Sequence, residues 1–328
     1  MTYDRKRNAA NYAAINWNAI EDQIDKSTWE KLTEQFWLDT RIPVSNDLDD
    51  WNLKLSAEER DMYSKVFAGL TLLDTLQSQD GNLTMLEDAR TMQERACFNN
   101  IIFMESVHAK SYSTVFSTLL DTEAIDELFD WIEHNEFAQK KTEIVNDIYQ
   151  NGTALQKKVA SVFLETFLFY SGFYTPLYYL GNNKMNNAAE IIKLILRDES
   201  VHGTYIGYKF QLGFNELPEN EQAELKDWMY ELLYSLYENE EHYTEQLYDG
   251  IGWTEEVKTF LRYNANKALM NLGQDPLFPD TASDVNPIVM NGISTGTSNH
   301  DFFSQVGNGY LLGEVEAMSD DDYLIGMK

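Results

Sequence analysis

Apolar residues recur every three or four positions along most of the chain, and the two-residue alternation typical of β-strands is hard to find. This spacing predicts amphipathic α-helices. No proline, which would break a helix, occurs between residues 44 and 175. The pattern therefore predicts an almost entirely α-helical chain.

Several local signals place the ends of these helices. Ser56 and Glu59 form a capping-box pattern at the start of a long helix. Gly181 and Gly213 are typical of helix ends. The predicted helices cover approximately residues 28–37, 56–87, 90–118, 122–136, 137–150, 154–180, 185–213, 219–249 and 253–271.

The pattern changes after residue 273, where three prolines, many small polar residues and an acidic end replace the helical spacing. We interpret residues 1–273 as one helical domain and residues 274–328 as an extended, partly flexible tail. The first residues include basic side chains but no apolar segment after them, so we expect no signal peptide.

The amino-acid composition of the chain limits which partners and environments we expect. The formal net charge of −29 repels nucleic acid and anionic membrane surfaces, so we expect neither as a partner. Hydrophobic residues make up 43% of the chain, enough for a large core and against disorder of the whole chain. The single cysteine, Cys97, excludes an intrachain disulfide and fits a reducing cytoplasm.

One segment, residues 159–180, is long and apolar enough to raise the possibility of a membrane span. It contains Glu165, Pro176 and several tyrosines, which fit a membrane poorly. We interpret it as the central helix of a bundle, apolar on every side because other helices surround it.

The sequence ESVH occurs twice, with Glu105 and His108 in one copy and Glu199 and His202 in the other. Residues three apart on a helix point the same way, so each pair presents a carboxylate and an imidazole together. Five histidines and 54 acids would give about 0.8 acid-x-x-His pairs by chance, so spacing alone decides little. The apolar faces around both pairs are more informative, because buried acids are costly unless they are paired or bind metal.

Two further apolar helices carry one lone acid each, Asp74 and Glu165. Either acid by itself could lie on a wet helix face. Together, four helices bearing four carboxylates and two imidazoles are what a bundle needs to hold two metal ions in its core. Oxygen-rich ligands with one imidazole for each ion favour iron or manganese, and carboxylates can bridge such ions.

Tyr112 follows His108 by four residues, so it lies on the same helix face. Phe169, Phe173 and Ile195 lie one or two helical turns from the predicted carboxylate ligands and could wall the phenol off from water. Two interpretations stay open here. Tyr112 is either an ordinary core tyrosine or a tyrosine that the metal pair oxidises and the apolar shell preserves as a radical.

Four motifs, LTLLDT, ESVHAKSYS, LILRD before the second ESVH, and FFSQVGNGY in the tail, resemble a known family. The chain resembles the small, radical-generating subunit of class I ribonucleotide reductase, most closely the class Ib form, from about Trp37 to Tyr310. The resemblance implies an all-α, ferritin-like helical bundle with a dinuclear metal site in its core. It implies Tyr112 as the radical tyrosine and six metal ligands without substitution: Asp74, Glu105, His108, Glu165, Glu199 and His202.

The resemblance also implies a radical path to a larger partner subunit that binds the nucleotide. The path would run through Tyr310, Trp37, Asp198 and His108. Without the resemblance, ordinary helix packing would be the better interpretation of Trp37. Tyr323 lies in the same tail and is a second candidate for the role of Tyr310.

The implied function is that of the radical-generating subunit of ribonucleoside-diphosphate reductase, an oxidoreductase that makes deoxyribonucleotides. Its cofactor would be two manganese or two iron ions with a tyrosyl radical on Tyr112. The implied partners are a second copy of the chain, the large catalytic subunit and a flavodoxin-like activator. Because ribonucleotide reduction uses thiols, a chain with one cysteine would leave that chemistry to the large subunit.

Three alternatives use some of the same residues. A ferritin-like storage protein would need neither Trp37 nor a tail bearing Tyr310. A dinuclear metal oxidase or desaturase would act on an apolar substrate without a partner subunit. A purely structural bundle would tolerate apolar residues in place of Glu105 or Glu199.

Overall fold

The computed structural model describes residues 13–279 and 284–296, and within these ranges the chain contains helices and no strand. Short 3₁₀ turns cover Asp39–Arg41 and Val44–Asp47, and π-helical turns cover Gln77–Gly81 and Leu164–Leu168. The α-helices are α1 (Gln23–Glu34), α2 (Leu48–Leu53), α3 (Ala57–Leu76), α4 (Asn82–Glu87), α5 (Met92–Leu119), α6 (Thr122–His134), α7 (Glu136–Asn151), α8 (Ala154–Phe163), α9 (Tyr170–Gly181), α10 (Asn186–Phe214), α11 (Glu219–Tyr248), α12 (Thr254–Asn271) and α13 (Pro287–Gly296).

The first helix begins and ends earlier than the predicted range of 28–37. The Asp22 carboxylate accepts a hydrogen bond of 2.9 Å from the backbone N–H of Ile24, and this N-cap starts α1 at Gln23. Since α1 ends at Glu34, Trp37 lies beyond it, in the segment that leads to the first 3₁₀ turn. The Trp37 side chain is nevertheless buried.

The capping box predicted at Ser56 and Glu59 is confirmed. The Ser56 N–H donates to Glu59 Oε2 at 2.7 Å, and the Glu59 N–H donates to Ser56 Oγ at 3.1 Å. The start of α10 is capped differently, from a distant part of the chain. There Asp47 accepts backbone hydrogen bonds from Asn187 at 3.0 Å and Ala188 at 2.7 Å.

Two of the predicted apolar helices contain a π-helical turn. The predicted helix 56–87 consists of α3, the turn Gln77–Gly81 and α4, and the predicted helix 154–180 consists of α8, the turn Leu164–Leu168 and α9. Such turns occur often at functional sites. Here one begins three residues after Asp74, and the other contains Glu165.

The core lies where α3, α5, α10 and the α8–α9 pair pack together. α3 packs on α5 and α9, and α10 packs on α5, α8 and α9. The contact between α3 and α9 is close, since a Cβ added at Gly172 would lie 2.6 Å from a Leu70 methyl group. Within the described residues, every helix is too short or too polar to cross a bilayer.

Part of the segment predicted as a tail is helical. α13 packs against α9 and α10, and Val289 on α13 is fully buried. Tyr310, Tyr323 and the motif FFSQVGNGY lie outside the described residues. The division of the chain at residue 273 therefore stays a prediction.

Candidate metal centre

The six side chains predicted to bind metal come together in the core as two overlapping groups. Asp74, Glu105, His108 and Glu199 form the first group, and Glu105, Glu165, Glu199 and His202 form the second. In each group the possible ligand atoms lie within 4.8 Å of one another, and all of these residues are buried. Glu105 and Glu199 belong to both groups, which is the placement expected of carboxylates that bridge two ions.

The two imidazoles face this bridging pair from opposite groups. His108 Nδ1 lies 3.3 Å from Glu105 Oε2 and 3.0 Å from Glu199 Oε1. His202 Nδ1 lies 2.8 Å from Glu105 Oε1 and 3.6 Å from Glu199 Oε2. The imidazole rings are stacked with their centroids 6.1 Å apart. Each group therefore has one imidazole nitrogen directed at shared carboxylates.

Most of the polar atoms in this cluster lack a well-formed hydrogen bond. Within the described residues this holds for both carboxylate oxygens of Asp74, Glu105 and Glu199, for Glu165 Oε2, and for Nδ1 of both histidines. Buried polar groups are normally paired, because leaving them unpaired is costly. Four carboxylates neutralise two divalent cations, and the donor set suits manganese or iron. The residues present therefore fit a dinuclear metal centre.

Crowded charges shift the pKa values of these groups in opposite directions. Burial, and then the charge of Glu105, raises the pKa of Asp74 and that of Glu199 well above the usual range. Burial also acts to raise the pKa of Glu105, but close contacts with both imidazoles outweigh it and lower that pKa to about 2. Burial alone would lower the pKa of His202, whereas its carboxylate neighbours raise it to about 10.

We expect metal loading to release protons and to weaken as the pH falls. His202, whose pKa is raised to about 10, holds a proton in the metal-free chain at neutral pH, and the raised pKa values of Asp74 and Glu199 favour their protonated forms. Metal ligands must be deprotonated, so these protons are displaced on binding. For each proton displaced, the affinity for the metal ion falls about tenfold when the pH is lowered by one unit. Titration of metal-free chain with Mn²⁺ in weakly buffered indicator solution, between about pH 6 and pH 8, measures both effects. Binding without proton release, at constant affinity, would contradict this expectation.

Tyr112 lies on α5 one turn after His108, and its side chain is fully buried. Its hydroxyl makes no well-formed hydrogen bond with any described residue. Burial raises the pKa of Tyr112 well above its usual value, and the Asp74 carboxylate raises it further. The environment thus keeps the phenol protonated and away from water.

The residues predicted to wall off Tyr112 are buried, and one aromatic ring packs directly against it. Phe169, Phe173 and Ile195, the three predicted wall residues, are all fully buried. The ring packed edge-on against Tyr112 is Phe67 on α3, with centroids 5.7 Å apart. Sequence reasoning missed Phe67, although it precedes Asp74 by seven residues, or two helical turns, and so shares its helix face.

Trp37, Asp198 and His108 form a hydrogen-bonded chain that leaves the metal cluster. Trp37 Nε1 donates to Asp198 Oδ2 at 2.7 Å, and His108 Nε2 lies 3.2 Å from the same oxygen. The indole and imidazole rings are also stacked, 5.8 Å apart. With Nδ1 facing the carboxylates, Nε2 is the nitrogen that donates to Asp198, as metal-binding histidines commonly do to a second carboxylate.

Sequence reasoning missed several polar residues next to the predicted ones. Gln35 Nε2 donates to Asp198 Oδ1 at 3.2 Å, and an Arg197 guanidinium nitrogen lies 3.4 Å from that oxygen. Gln77 and Tyr149 form a second buried network beside Glu165. One local signal could have indicated Gln77: it follows Asp74 by three residues inside an apolar helix.

The helical bundle and its donor set define a ferritin-like protein with a dinuclear carboxylate-rich metal site. The sequence matches the family described as ribonucleotide reductase, small chain, over residues 14–287, and the chain belongs to that family. The resemblance stated from the motifs is therefore confirmed. Membership makes the chain a radical-generating small subunit of an oxidoreductase, with a homodimeric state, a large catalytic subunit as partner, and a dinuclear manganese or iron centre with a tyrosyl radical.

Individual relatives agree with this assignment over most of the chain. The chain is 52% identical over 312 residues to ribonucleoside-diphosphate reductase subunit beta of Mycobacterium leprae, which covers 95% of this chain and 96% of the relative. It is 47% identical over 312 residues to ribonucleoside-diphosphate reductase 2 subunit beta of Escherichia coli, covering 95% and 98%. The crystal structure of Streptococcus sanguinis dimanganese(II)-NrdF matches with a TM-score of 0.85 and 77% identity, covering 86% of this chain and 100% of that one. The storage and oxidase alternatives are not favoured.

Proposed function

We propose that the six buried ligands hold two metal ions, that the resulting radical resides on Tyr112, and that it leaves toward the large subunit through Asp198 and Trp37. The observation that carries this proposal is the position of the Tyr112 phenol. It lies on the helix face of His108, fully buried and without a well-formed hydrogen bond to any described residue. The ligand set is Asp74, Glu105, His108, Glu165, Glu199 and His202.

The bound ions supply the one-electron oxidising chemistry, and the chain controls where the electron and proton go. Asp74 is the charged group that acts most strongly on the Tyr112 hydroxyl, so its carboxylate is placed to take the phenolic proton when the ring loses an electron. Burial and the Phe67 ring keep water and reductants away from the oxidised ring. Phe169, Phe173 and Ile195 complete the apolar shell in this proposal.

Radical export uses the chain of Trp37, Asp198 and His108. Indole is among the most easily oxidised side chains, and its N–H already donates to Asp198, so its proton has an acceptor when an electron leaves the ring. The stacked His108 ring joins this path to the metal cluster. Tyr310 is the proposed next residue toward the large subunit, within the tail of residues 274–328 that follows the helical domain of residues 1–273.

Manganese is the proposed ion. The 77% identity to a dimanganese(II)-NrdF supports this choice over iron, which would serve as a working alternative. Together with the class Ib resemblance, it also supports a flavodoxin-like protein as the activator that assists metal oxidation. A chain with one cysteine, itself buried, fits a cytoplasmic location.

Activation of the metal-free chain tests the proposal. One sample is loaded with Fe²⁺ and exposed to oxygen, and another is loaded with Mn²⁺ in the presence of oxygen and a reduced flavodoxin-like activator. We expect a tyrosyl signal in the electron paramagnetic resonance spectrum, and reduction of ribonucleoside diphosphates only after the large subunit is added. A chain that contains two ions but yields no radical would contradict the proposal. A product formed without the large subunit would instead support an oxidase.

A further inference from the structure

Glu165 differs from the other three carboxylates of the cluster. Its Oε1 accepts a short hydrogen bond from Gln77 Nε2, whereas both oxygens of Asp74, Glu105 and Glu199 lack a well-formed hydrogen bond to any described residue. Glu165 Oε2 is unpaired in the same sense and faces His202 Nδ1 at 3.7 Å. One oxygen of Glu165 is thus engaged by the protein, and the other faces the second ligand group.

Hydrogen bonds at both ends of the Gln77 side-chain amide hold it in one orientation. Its Nε2 also donates to Ser161 Oγ at 3.0 Å, and its Oε1 accepts a hydrogen bond from the Tyr149 hydroxyl. All three of these side chains are fully buried. In the opposite orientation the amide oxygen would face the Glu165 carboxylate, and two acceptors would oppose each other. The Glu165 carboxylate therefore decides which end of the amide faces it, and the Tyr149 hydroxyl holds the amide in that orientation by donating to Oε1.

The backbone is adapted to this arrangement. Gln77 is the first residue of one π-helical turn, and Glu165 lies in the other, so their hydrogen bond joins the two irregular turns. Gly81 lies in the first turn, and a Cβ added there would lie 2.7 Å from the Tyr149 ring. The absence of a side chain at Gly81 makes room for the phenol that orients Gln77.

We propose that Gln77, oriented by Tyr149, is a positioning residue that restricts Glu165 to binding the ion beside His202 through Oε2 alone. A charge-assisted hydrogen bond to Oε1 competes with a second metal bond from the same carboxylate. Partners of this kind orient metal ligands and tune the ion that they bind. A carboxylate held in this way would leave that ion one more position for another ligand. The inference rests on the metal centre proposed above.

Manganese binding by three variants tests the inference. Gln77→Met keeps the length of the side chain but removes its hydrogen bonds, and Tyr149→Phe removes only the hydroxyl that orients the amide. The matched control is Asn239→Leu, which removes a buried amide on α11 that donates to the Phe137 carbonyl. Metal-free chains are titrated with Mn²⁺, and free Mn²⁺ is followed by electron paramagnetic resonance. Infrared difference spectra report how the carboxylates bind.

We expect Gln77→Met to lower the affinity for one of the two ions by about 10–100-fold. We also expect a carboxylate stretching band to shift from the frequency of monodentate binding to that of bidentate binding. Tyr149→Phe should change both readouts in the same direction but less, and Asn239→Leu should change neither. Wild-type binding and spectra in Gln77→Met and Tyr149→Phe would overturn the inference, as would equal changes in Asn239→Leu. Failure of the wild-type chain to bind two ions would instead overturn the proposed metal centre.

Discussion

Replacing Tyr112 by phenylalanine is expected to abolish the tyrosyl radical and to reduce ribonucleotide reduction to background, while the chain still folds and binds two metal ions. The substitution removes one oxygen and leaves an aromatic ring in the same place. The Tyr112 hydroxyl makes no well-formed hydrogen bond with a described residue, and the charged group that acts most strongly on it, Asp74, still has its other partners in the cluster without it. Removing a buried, unsatisfied hydroxyl is nearly neutral or stabilising for the fold.

Tyr63→Phe is the matched control for this experiment. Tyr63 is also buried, its hydroxyl likewise lacks a well-formed hydrogen bond within the described chain, and its ring stacks on Phe67 at 4.7 Å. Both variants are loaded with metal, analysed for bound ions and compared with the wild type by electron paramagnetic resonance. A radical that persists in Tyr112→Phe, or disappears in Tyr63→Phe, would show that Tyr112 is not its location.

The cluster of carboxylates and imidazoles could be predicted from the sequence because the relevant geometry is local. Glu105 and His108 share a helix face whatever the rest of the chain does, and the same holds for Glu199 and His202. Their apolar surroundings then indicate burial, and burial of acids indicates metal. The same local rule placed Tyr112 on the helix face of His108, but it could not predict which side chains of other helices contact Tyr112.

Contacts between distant helices could not be predicted in this way. The hydrogen bond from Gln77 to Glu165 joins residues 88 positions apart, and its geometry depends on two π-helical turns that leave no clear pattern of apolar spacing. Asp47, which caps α10, lies 140 positions from Asn187. The position of α1 is a different case, because Asp22 was a local capping signal that the apolar spacing alone did not reveal.

Replacing Trp37 by phenylalanine is expected to separate radical formation from radical use. The variant should form the Tyr112 radical at wild-type yield but lose nearly all nucleotide reduction with the large subunit. A phenyl ring is far harder to oxidise than indole, and it has no N–H to donate to Asp198 Oδ2. The fold tolerates the loss, because Asp198 keeps its contacts with Gln35 and His108. Unfolding free energy should fall by about 1–3 kcal/mol.

The control for that experiment is Trp51→Phe, which removes a second buried indole. Trp51 packs against Tyr63, whereas Trp37 stacks on His108. Radical yield is measured by electron paramagnetic resonance, and activity is expressed per radical, so that incomplete metal loading does not count as a loss of transfer. Substantial activity in Trp37→Phe would exclude the indole from the path. An equal loss of activity per radical in Trp51→Phe would show that the effect comes from general loosening of the core. A loss confined to Trp37→Phe, with the radical intact, follows only if the oxidising equivalent leaves the buried cluster through the hydrogen-bonded indole, as an electron moves inward along the same path.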